Sequence, residues 1–370
     1  MMSSKKFQTI FDCGSSKVRA GIFNNEDQDN TFFIESNFYT NSSSLKFEIQ
    51  KIITSLENFT NEYIDSVDLM VDSSRMVSIA ISVSKKIEEL KLRKDNILFL
   101  VQEAKQQIEK YYSDFSILHI VINNYKLDNI DYSELPDEID CQFISLDIIF
   151  ICLPNKLISD LKDTFSEFNI LINQIICSSY AKSINYKNNL NSTSAVSFID
   201  IGFKKTSIIS FINDKLIFLD VLPIGGNHIT KDISLLLKID INEAEKLKLN
   251  FEKINQHANN EFFSLEMIQK IAFARTEEIL ELCMKSIESN TQIKGVSKII
   301  LIGEGSKILD NKFKDKISFS EDIDFLEETL GDICHSGFNL RTGINKQEVV
   351  VVPKKHTKQG FFEKLFHFFK

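Results

Sequence analysis

Apolar residues fall at Phe7, Ile10 and Phe11, break at Gly14-Ser15-Ser16, and resume at Val18, Ala20, Ile22 and Phe23. Two apolar runs around a turn of small residues predict a β-hairpin, with Asp12 at the end of its first strand. The plan returns at Phe198–Phe211, where a strand ends in Asp200-Ile201-Gly202 and a β-branched strand follows. Two hairpins of one design, far apart in the chain, predict two related halves facing each other across a cleft.

Between them, Thr31–Tyr39, Val67–Val71 and Met76–Val83 read as strands, the last alternating at Val77, Ile79, Ile81 and Val83. Leu45–Tyr63 and Lys94–Tyr111 carry helical spacing, the second with Asp95 as its N-cap. Strands at Leu118–Ile122 and Phe143–Leu153 flank a polar loop at Pro136, so residues 84–153 read as an inserted unit. A helix at Asn155–Phe168, a strand at Ile170–Ile176 and a helix at Ser178–Lys187 complete the first half, and the polar run at 188–193 ends it. In the second half the pattern predicts a strand at Leu216–Val221 and helices at Thr230–Leu237, from Asn242, and at Phe263–Ser289. A strand at Val296–Ile302 then runs into Gly303-Glu304-Gly305-Ser306, just before helix-like Lys307–Lys312.

Composition narrows the function classes. A length of 370 residues allows several subdomains with real cores. The net charge of −9 argues against nucleic acid as a partner. Six cysteines without C-x-x-C spacing sit mostly in apolar runs and read as buried thiols in a reducing compartment, with neither zinc nor disulfides indicated. The N-terminus lacks a signal-peptide core and no apolar run is long enough to span a bilayer, so the expectation is cytosolic. Glycine is the informative residue: of only 12, seven (Gly14, Gly21, Gly202, Gly225, Gly226, Gly303, Gly305) fall in four short stretches, which are therefore the best site candidates. A turn of small residues leaves backbone N–H groups to face a phosphate, a carboxylate beside it can hold Mg²⁺ through water, and a strand–Gly turn–helix junction gives a nucleoside bare backbone to lie on.

The run Asp12-Cys13-Gly14-Ser15-Ser16-Lys17-Val18, the later Asp200-Ile201-Gly202, and Ile302-Gly303-Glu304-Gly305-Ser306 resemble the two phosphate loops and the adenosine motif of the actin/Hsp70/sugar-kinase ATPase superfamily. The run from Pro223 to Lys248, with Gly225-Gly226-Asn227, Thr230, Asp232-Ile233 and Ala244-Glu245-Lys246-Leu247-Lys248, is similar to the FtsA family of bacterial cell-division proteins. Leu118–Ile122 and Tyr125 sit where that family has its inserted subdomain. The resemblance implies an α/β, actin-like ATPase fold of two related halves around a nucleotide cleft. Its parts would be a first half at 7–83 and 154–187 (1A), the inserted subdomain at 84–153 (1C), a second half at 194–224 and 296–343 (2A), and a nucleotide-capping subdomain at 225–295 (2B). A linker at 344–358 would lead to a membrane-targeting amphipathic helix at 359–370.

The resemblance also implies ATP and Mg²⁺ in the cleft. The nucleotide would be held by Asp12, Gly14, Ser15, Ser16 and Lys17, by Asp200, Gly202, Lys205 and Thr206, by Gly225, Gly226, Asn227, Glu245 and Lys248, and by Gly303, Glu304, Gly305 and Ser306, with Asp12 and Asp200 toward the metal. Departures from the family pattern predict weak hydrolysis at most. Phe203, Lys204, Lys205, Thr206 and Ser207 replace a glycine run, Thr and a second acid; Lys204 or Lys205 could neutralise a phosphate instead. Glu304 stands where small residues are common, and the segment 249–262 is short for the family.

After Pro353 the chain turns basic and ends in QGFFEKLFHFFK. At about 100° per residue, Phe361, Phe362, Leu365, Phe366, Phe368 and Phe369 fall within one arc of about 160°. Glu363, Lys364, His367 and Lys370 fill the other. Residues 354–370 hold five lysines and one glutamate, a charge of +4 suited to anionic headgroups, against −9 for the whole chain. Membrane contact is expected through Phe361, Phe362, Lys364, Leu365, Phe366, Phe368, Phe369 and Lys370. The function implied is a septum-assembling adaptor on the cytoplasmic face of the inner membrane at the division site. It would bind the C-terminal tail of the polymer-forming FtsZ, itself in filaments, and other division proteins. The alternative in the same fold is a PilM-like ATP-binding scaffold of a pilus or secretion machine. A sugar or acetate kinase would need a catalytic acid that no motif supplies. His119 reads as a core or surface histidine, and Arg275 and Glu278 as surface.

Overall fold

The computed structural model describes residues 6–24, 31–38, 44–87, 92, 94–136, 140–190, 195–249, 265–290, 298–307, 309, 313 and 322–342. The expected linker at 344–358, the aromatic helix at 359–370, the segment 250–262 and most of 307–312 lie outside these residues.

In chain order the first half runs β1 (Phe7–Cys13), β2 (Lys17–Asn24), β3 (Thr31–Asn37), α1 (Leu45–Thr60), β4 (Ser66–Val71), β5 (Val77–Lys86), α2 (Lys94–Tyr111), β6 (Phe115–Leu127), β7 (Ile130–Tyr132), β8 (Phe143–Pro154), α3 (Asn155–Ser166), β9 (Leu171–Cys177) and α4 (Ser178–Asn188). The second runs β10 (Ala195–Ile201), β11 (Thr206–Ile212), β12 (Lys215–Leu222), α5 (Gly226–Leu237), α6 (Ile241–Leu249), α7 (Leu265–Ser289), β13 (Lys298–Ile302), β14 (Asp322–Phe325) and α8 (Leu330–Arg341).

Two five-stranded sheets share one plan. The orders are β3-β2-β1-β4-β9 and β12-β11-β10-β13-β14. In each, an antiparallel meander of three strands is extended by two parallel strands on the side of the first. The register places Asp12 opposite Arg19 and Asp200 opposite Ser207, so each hairpin carries its aspartate one residue before the strand end. β1, β4 and β10 are buried along most of their length, as befits strands covered on both faces.

A third sheet, β5-β8-β6-β7, is antiparallel and packs α2 over Leu100, Ala104 and Ile108. Its first strand begins at Val77, so this unit starts earlier than residue 84. β6 is also longer than Leu118–Ile122, since its pairing with β8 continues across register shifts at Ile117/His119 and Ile122/Asn124. His119 is a core histidine: its Nε2 accepts the Cys177 N–H at 2.9 Å and its ring lies against Tyr180.

Local chemistry explains other boundaries. α1 buries Ile49, Ile52, Ile53 and Leu56, is capped by Ser44 accepting the Phe47 N–H, and stops at Asn61 with a left-handed φ of 54°. Asp95 lies inside the first turn of α2 and is not its cap. α5 starts at Gly226, four residues before Thr230, because the N–H groups of Gly226 and Asn227 bond carbonyls of the turn after β10. Glu278 is exposed, as expected, but Arg275 is half-buried: it grips Asp232 of α5 through Nε (2.5 Å) and Nη2 (3.0 Å) and reaches Glu278 at 2.5 Å, pinning α7 to α5.

α8 has no counterpart among the expected elements. Thr329 opens it with a reciprocal cap, accepting the Asp332 N–H at 3.1 Å while the Asp332 carboxylate accepts the Thr329 N–H at 2.9 Å. Although it follows the second sheet in sequence, it packs on α4 and on β1, β2 and β3 of the first. Gly337 permits the approach, since a Cβ there would lie 2.5 Å from Met70 Sδ and 3.0 Å from Ile10 Cγ2.

Candidate functional site

The carboxyl ends of the central strands of both sheets open on one crevice, the usual ligand position in open α/β sheets. From the first sheet come Asp12 and the turn Gly14–Ser16 after β1, and Asp72 after β4. From the second come Asp200 and the turn Gly202–Lys205 after β10, and Gly303 after β13. These residues, with Ser178, Lys182 and Glu328, line a cavity of about 390 Å³. Beside it a cavity of about 570 Å³ is walled by Lys17, Lys248, Leu249, Gly303–Lys307, Leu309 and Phe325–Glu328.

The two turns differ. Among the described residues, the N–H groups of Gly14, Ser15 and Ser16 donate to no protein acceptor, so the first turn is free to face an anion. In the second turn the Gly202 N–H donates to the Lys205 carbonyl at 2.9 Å. The helix behind it is also committed: the N–H groups of Gly226 and Asn227 donate to the carbonyls of Gly202 (2.9 Å) and Phe203 (2.7 Å). Gly226 and Asn227 therefore brace the loop from behind, Gly225 packs against the Gly202 carbonyl, and Gly226 also lines a small recess beside Phe203. Thr206 is buried and donates its hydroxyl to the Ile224 carbonyl at 2.8 Å, away from the cavity lining.

The cleft is laced by ion pairs that cross from one half to the other. Lys17 and Arg19, from β2, reach Glu304 at 2.9 and 3.2 Å. Lys182, from α4, reaches Asp200 at 2.8 Å and Glu328 at 3.2 Å. Lys205 reaches Asp72 at 2.9 Å and also bonds the Ser207 hydroxyl. Glu328 is further held by the Tyr186 hydroxyl at 2.8 Å and the Gly303 N–H at 2.7 Å. Burial opposes charge on Asp72, yet Lys205 holds its carboxyl below the ordinary range. Burial would lower Lys182, but Asp200 and Glu328 hold it above the usual lysine value.

Asp12 and Asp200, expected to face a metal, carry cations of the chain. The Asp12 oxygens accept Ser178 Oγ at 2.8 Å and Arg19 Nη1 at 3.0 Å, and Asp200 takes the Lys182 ammonium. Among the described residues no group of three or more His, Cys, Asp or Glu side chains is placed to hold a metal ion. In this arrangement the donor set does not fit a divalent ion.

Glu245 and Lys248 form a buried pair (2.7 Å) on α6, with Lys248 also on the Gly226 carbonyl (3.0 Å) and Thr230 Oγ1 (2.8 Å), and 5.4 Å from the Phe203 ring centroid. Burial pushes the Lys248 pKa down although Glu245 opposes it. Gly305 and Ser306 form the short 3-10 turn after β13 and border the larger cavity.

Sequence reasoning missed Arg19, Asp72, Lys182 and Glu328. Asp72 had a signal, since it directly follows a strand and precedes Ser73-Ser74 much as Asp12 precedes Gly14-Ser15-Ser16. Lys182 had one too: it stands among Tyr180, Ala181 and Ile184 on a buried helix. Nothing near Glu328 marked it.

Glu304 gives the network a pH signature. Burial raises its pKa, but Arg19 and Lys17 outweigh that and bring it down to about 2 from 4.5. A folded-state pKa below the unfolded value stabilises the fold above pH 4.5, and the contribution is lost as pH falls toward 2. Urea unfolding between pH 5 and pH 2.5 should show a loss of about 2–3 kcal/mol from this group. Glu304→Gln should flatten that part of the profile; an unchanged slope would assign the loss to other acids.

Residues 197–300 match the family described as FtsA, cell division protein FtsA. Cell division protein FtsA of Streptococcus pneumoniae is 29% identical over 170 residues, covering 42% of this chain and 37% of that one. The FtsA of Agrobacterium fabrum is 22% identical over 299 residues, covering 74% of this chain and 66% of its own. The chain thus matches between about a third and two thirds of the length of these relatives. Among solved structures, the PilM-PilN type IV pilus biogenesis complex superposes with a TM-score of 0.62 at 13% identity, over 90% of this chain and 98% of that one, a likeness of fold alone. The twin sheets, the shared crevice and these matches make the chain similar to the FtsA cell-division proteins over part of its length, on an actin-like fold.

Proposed function

We propose that the chain is a division scaffold that binds a nucleotide in the crevice and links FtsZ polymers to the cytoplasmic face of the membrane through its basic aromatic C-terminus. One observation carries the nucleotide part. Two sheets of one plan bring the unpaired N–H groups of Gly14–Ser16, the Gly202–Lys205 turn and several lysines to one cavity, adjoining a second of about 570 Å³ lined by Leu249, Leu309, Phe325 and Leu326. A phosphate chain fits the first chemistry and a nucleoside the second. Asp12, Asp72, Asp200, Glu304 and Glu328 are each paired with a cation, so none stands free as a base toward an attacking water. The nucleotide then acts as a conformational or polymerisation ligand with very slow turnover at most. Assembly into filaments and recruitment of further division proteins belong to the same reading.

Among the described residues no helix is long and apolar enough to cross a membrane. Attachment is expected through residues 354–370. Vesicles containing a third phosphatidylglycerol should pellet the full chain and carry FtsZ polymers down with it. Deleting 354–370 should lower vesicle binding at least tenfold, the scale of losing several buried aromatic side chains. Equal pelleting of the two proteins would remove the anchoring role. ATP binding by calorimetry on the shortened protein tests the crevice; heat absent up to millimolar ATP would leave only the scaffold.

A further inference from the structure

Lys182 is a lysine in a place that chemistry rarely gives one. It comes from α4, is 6% exposed, and puts its ammonium 2.8 Å from Asp200 Oδ2 of β10 and 3.2 Å from Glu328 Oε1, just ahead of α8. Asp12 of β1 also acts on it electrostatically, so acids from three elements converge on one cation. That cation lies in the wall of the same cavity as both small-residue turns.

We propose that the Lys182 ammonium takes the part of a divalent cation in this crevice, so that the phosphates of a nucleotide are bound without a divalent metal. The inference rests on the nucleotide reading above.

The coordination chemistry supports it. Magnesium demands six oxygens in near-octahedral array at about 2.0–2.1 Å. Here both Asp12 oxygens are taken, by Ser178 and Arg19, and Asp200 is taken by Lys182. A metal ion placed between Asp12 and Asp200 would meet an ammonium already bound there, and like charges at such range repel strongly in a buried site. Five acids (Asp12, Asp72, Asp200, Glu304, Glu328) and five bases (Lys17, Arg19, Lys182, Lys204, Lys205) line the cavity, so its carboxylates need no divalent ion to balance them. An ammonium has three donors, and two meet Asp200 and Glu328, which leaves one for a phosphate oxygen. Lys204, exposed on the second turn and without an ion pair among the described residues, supplies a further positive charge at the mouth.

The test is ATP binding to the full chain by calorimetry, once in excess EDTA and once in millimolar MgCl₂. The expected result is a Kd that differs by less than about tenfold between the two, against the large gain a metal-dependent phosphate site shows. Lys182→Met should reverse this: binding in EDTA falls at least ~tenfold and is restored by Mg²⁺, because Asp200 and Glu328 become free to ligate it. Wild-type binding that gains tenfold or more from Mg²⁺ overturns the proposal and leaves the nucleotide crevice intact. Binding in neither condition overturns the nucleotide reading, and the proposal with it. A second readout needs no nucleotide and no variant: Mn²⁺ titrated into the wild-type chain should keep its free paramagnetic resonance signal. One equivalent bound, and released by Asp200→Asn, would overturn the proposal directly.

Discussion

Lys182→Met is expected to lower the unfolding free energy by about 3–5 kcal/mol at neutral pH, the cost of leaving a buried acid without its counter-ion. The side chain it removes is 6% exposed and pairs with Asp200 and Glu328, and methionine keeps the volume. Burial of the chain's acids, and not lost packing, therefore sets the magnitude. Urea unfolding measures it, and the double variant Lys182→Met/Glu328→Gln should recover part of the loss, since a neutral amide no longer needs the cation. Mg²⁺ should stabilise the single variant and leave the wild type unchanged. A loss under 1 kcal/mol would mean that water reaches Asp200 freely, and the picture of a dry, self-neutralised crevice would have to go.

Gly303→Ala should have the next largest effect, on both fold and ligand. Gly303 has φ +91°, a region costly for any residue with a Cβ, and that Cβ would lie 2.6 Å from the Ile201 carbonyl oxygen and nearer still to the Asp200 carboxylate. Its N–H also orients Glu328 at 2.7 Å. Strain and the displaced β10 end should cost about 1–3 kcal/mol of stability. ATP affinity should fall by ~100-fold or more, because the same shift moves one wall of both cavities. Gly331→Ala is the control: its Cβ meets nothing nearer than 3.5 Å and its helical position favours alanine, so stability and affinity should hold or rise slightly. Equal losses in the two variants would show that the effect is not specific to the crevice.

These two residues also show what the chain makes legible before folding. Gly303 could be found because glycine is scarce here and each one is informative; the strand before it and the small residues after it then defined a junction. The paired hairpins were legible for the same reason, as alternation is local and the turn chemistry is short-range. Lys182 was hidden because its meaning lies in Asp200 and Glu328, which approach it only after both sheets and the loop before α8 are in place. α8 was hidden by its own packing: Gly331 and Gly337 interrupt the apolar stripe that announces a helix, and Gly337 is there to let Met70 and Ile10 come close. Long-range pairing of charges and close helix–sheet contact leave little periodic trace.

The position of α8 has a consequence for synthesis. The first sheet is encoded at the start of the chain, but one face of β1, β2 and β3 is covered by a helix whose last residue is Arg341. At typical rates of translation, roughly 15–60 s separate the emergence of β3 from that of α8. Throughout that interval the nascent chain exposes the apolar surface around Ile10, Gly21 and Met70 without its lid. The N-terminal half is thus a client for holding chaperones on the ribosome, and a ribosome stalled before residue 330 releases a product with an open, adhesive sheet.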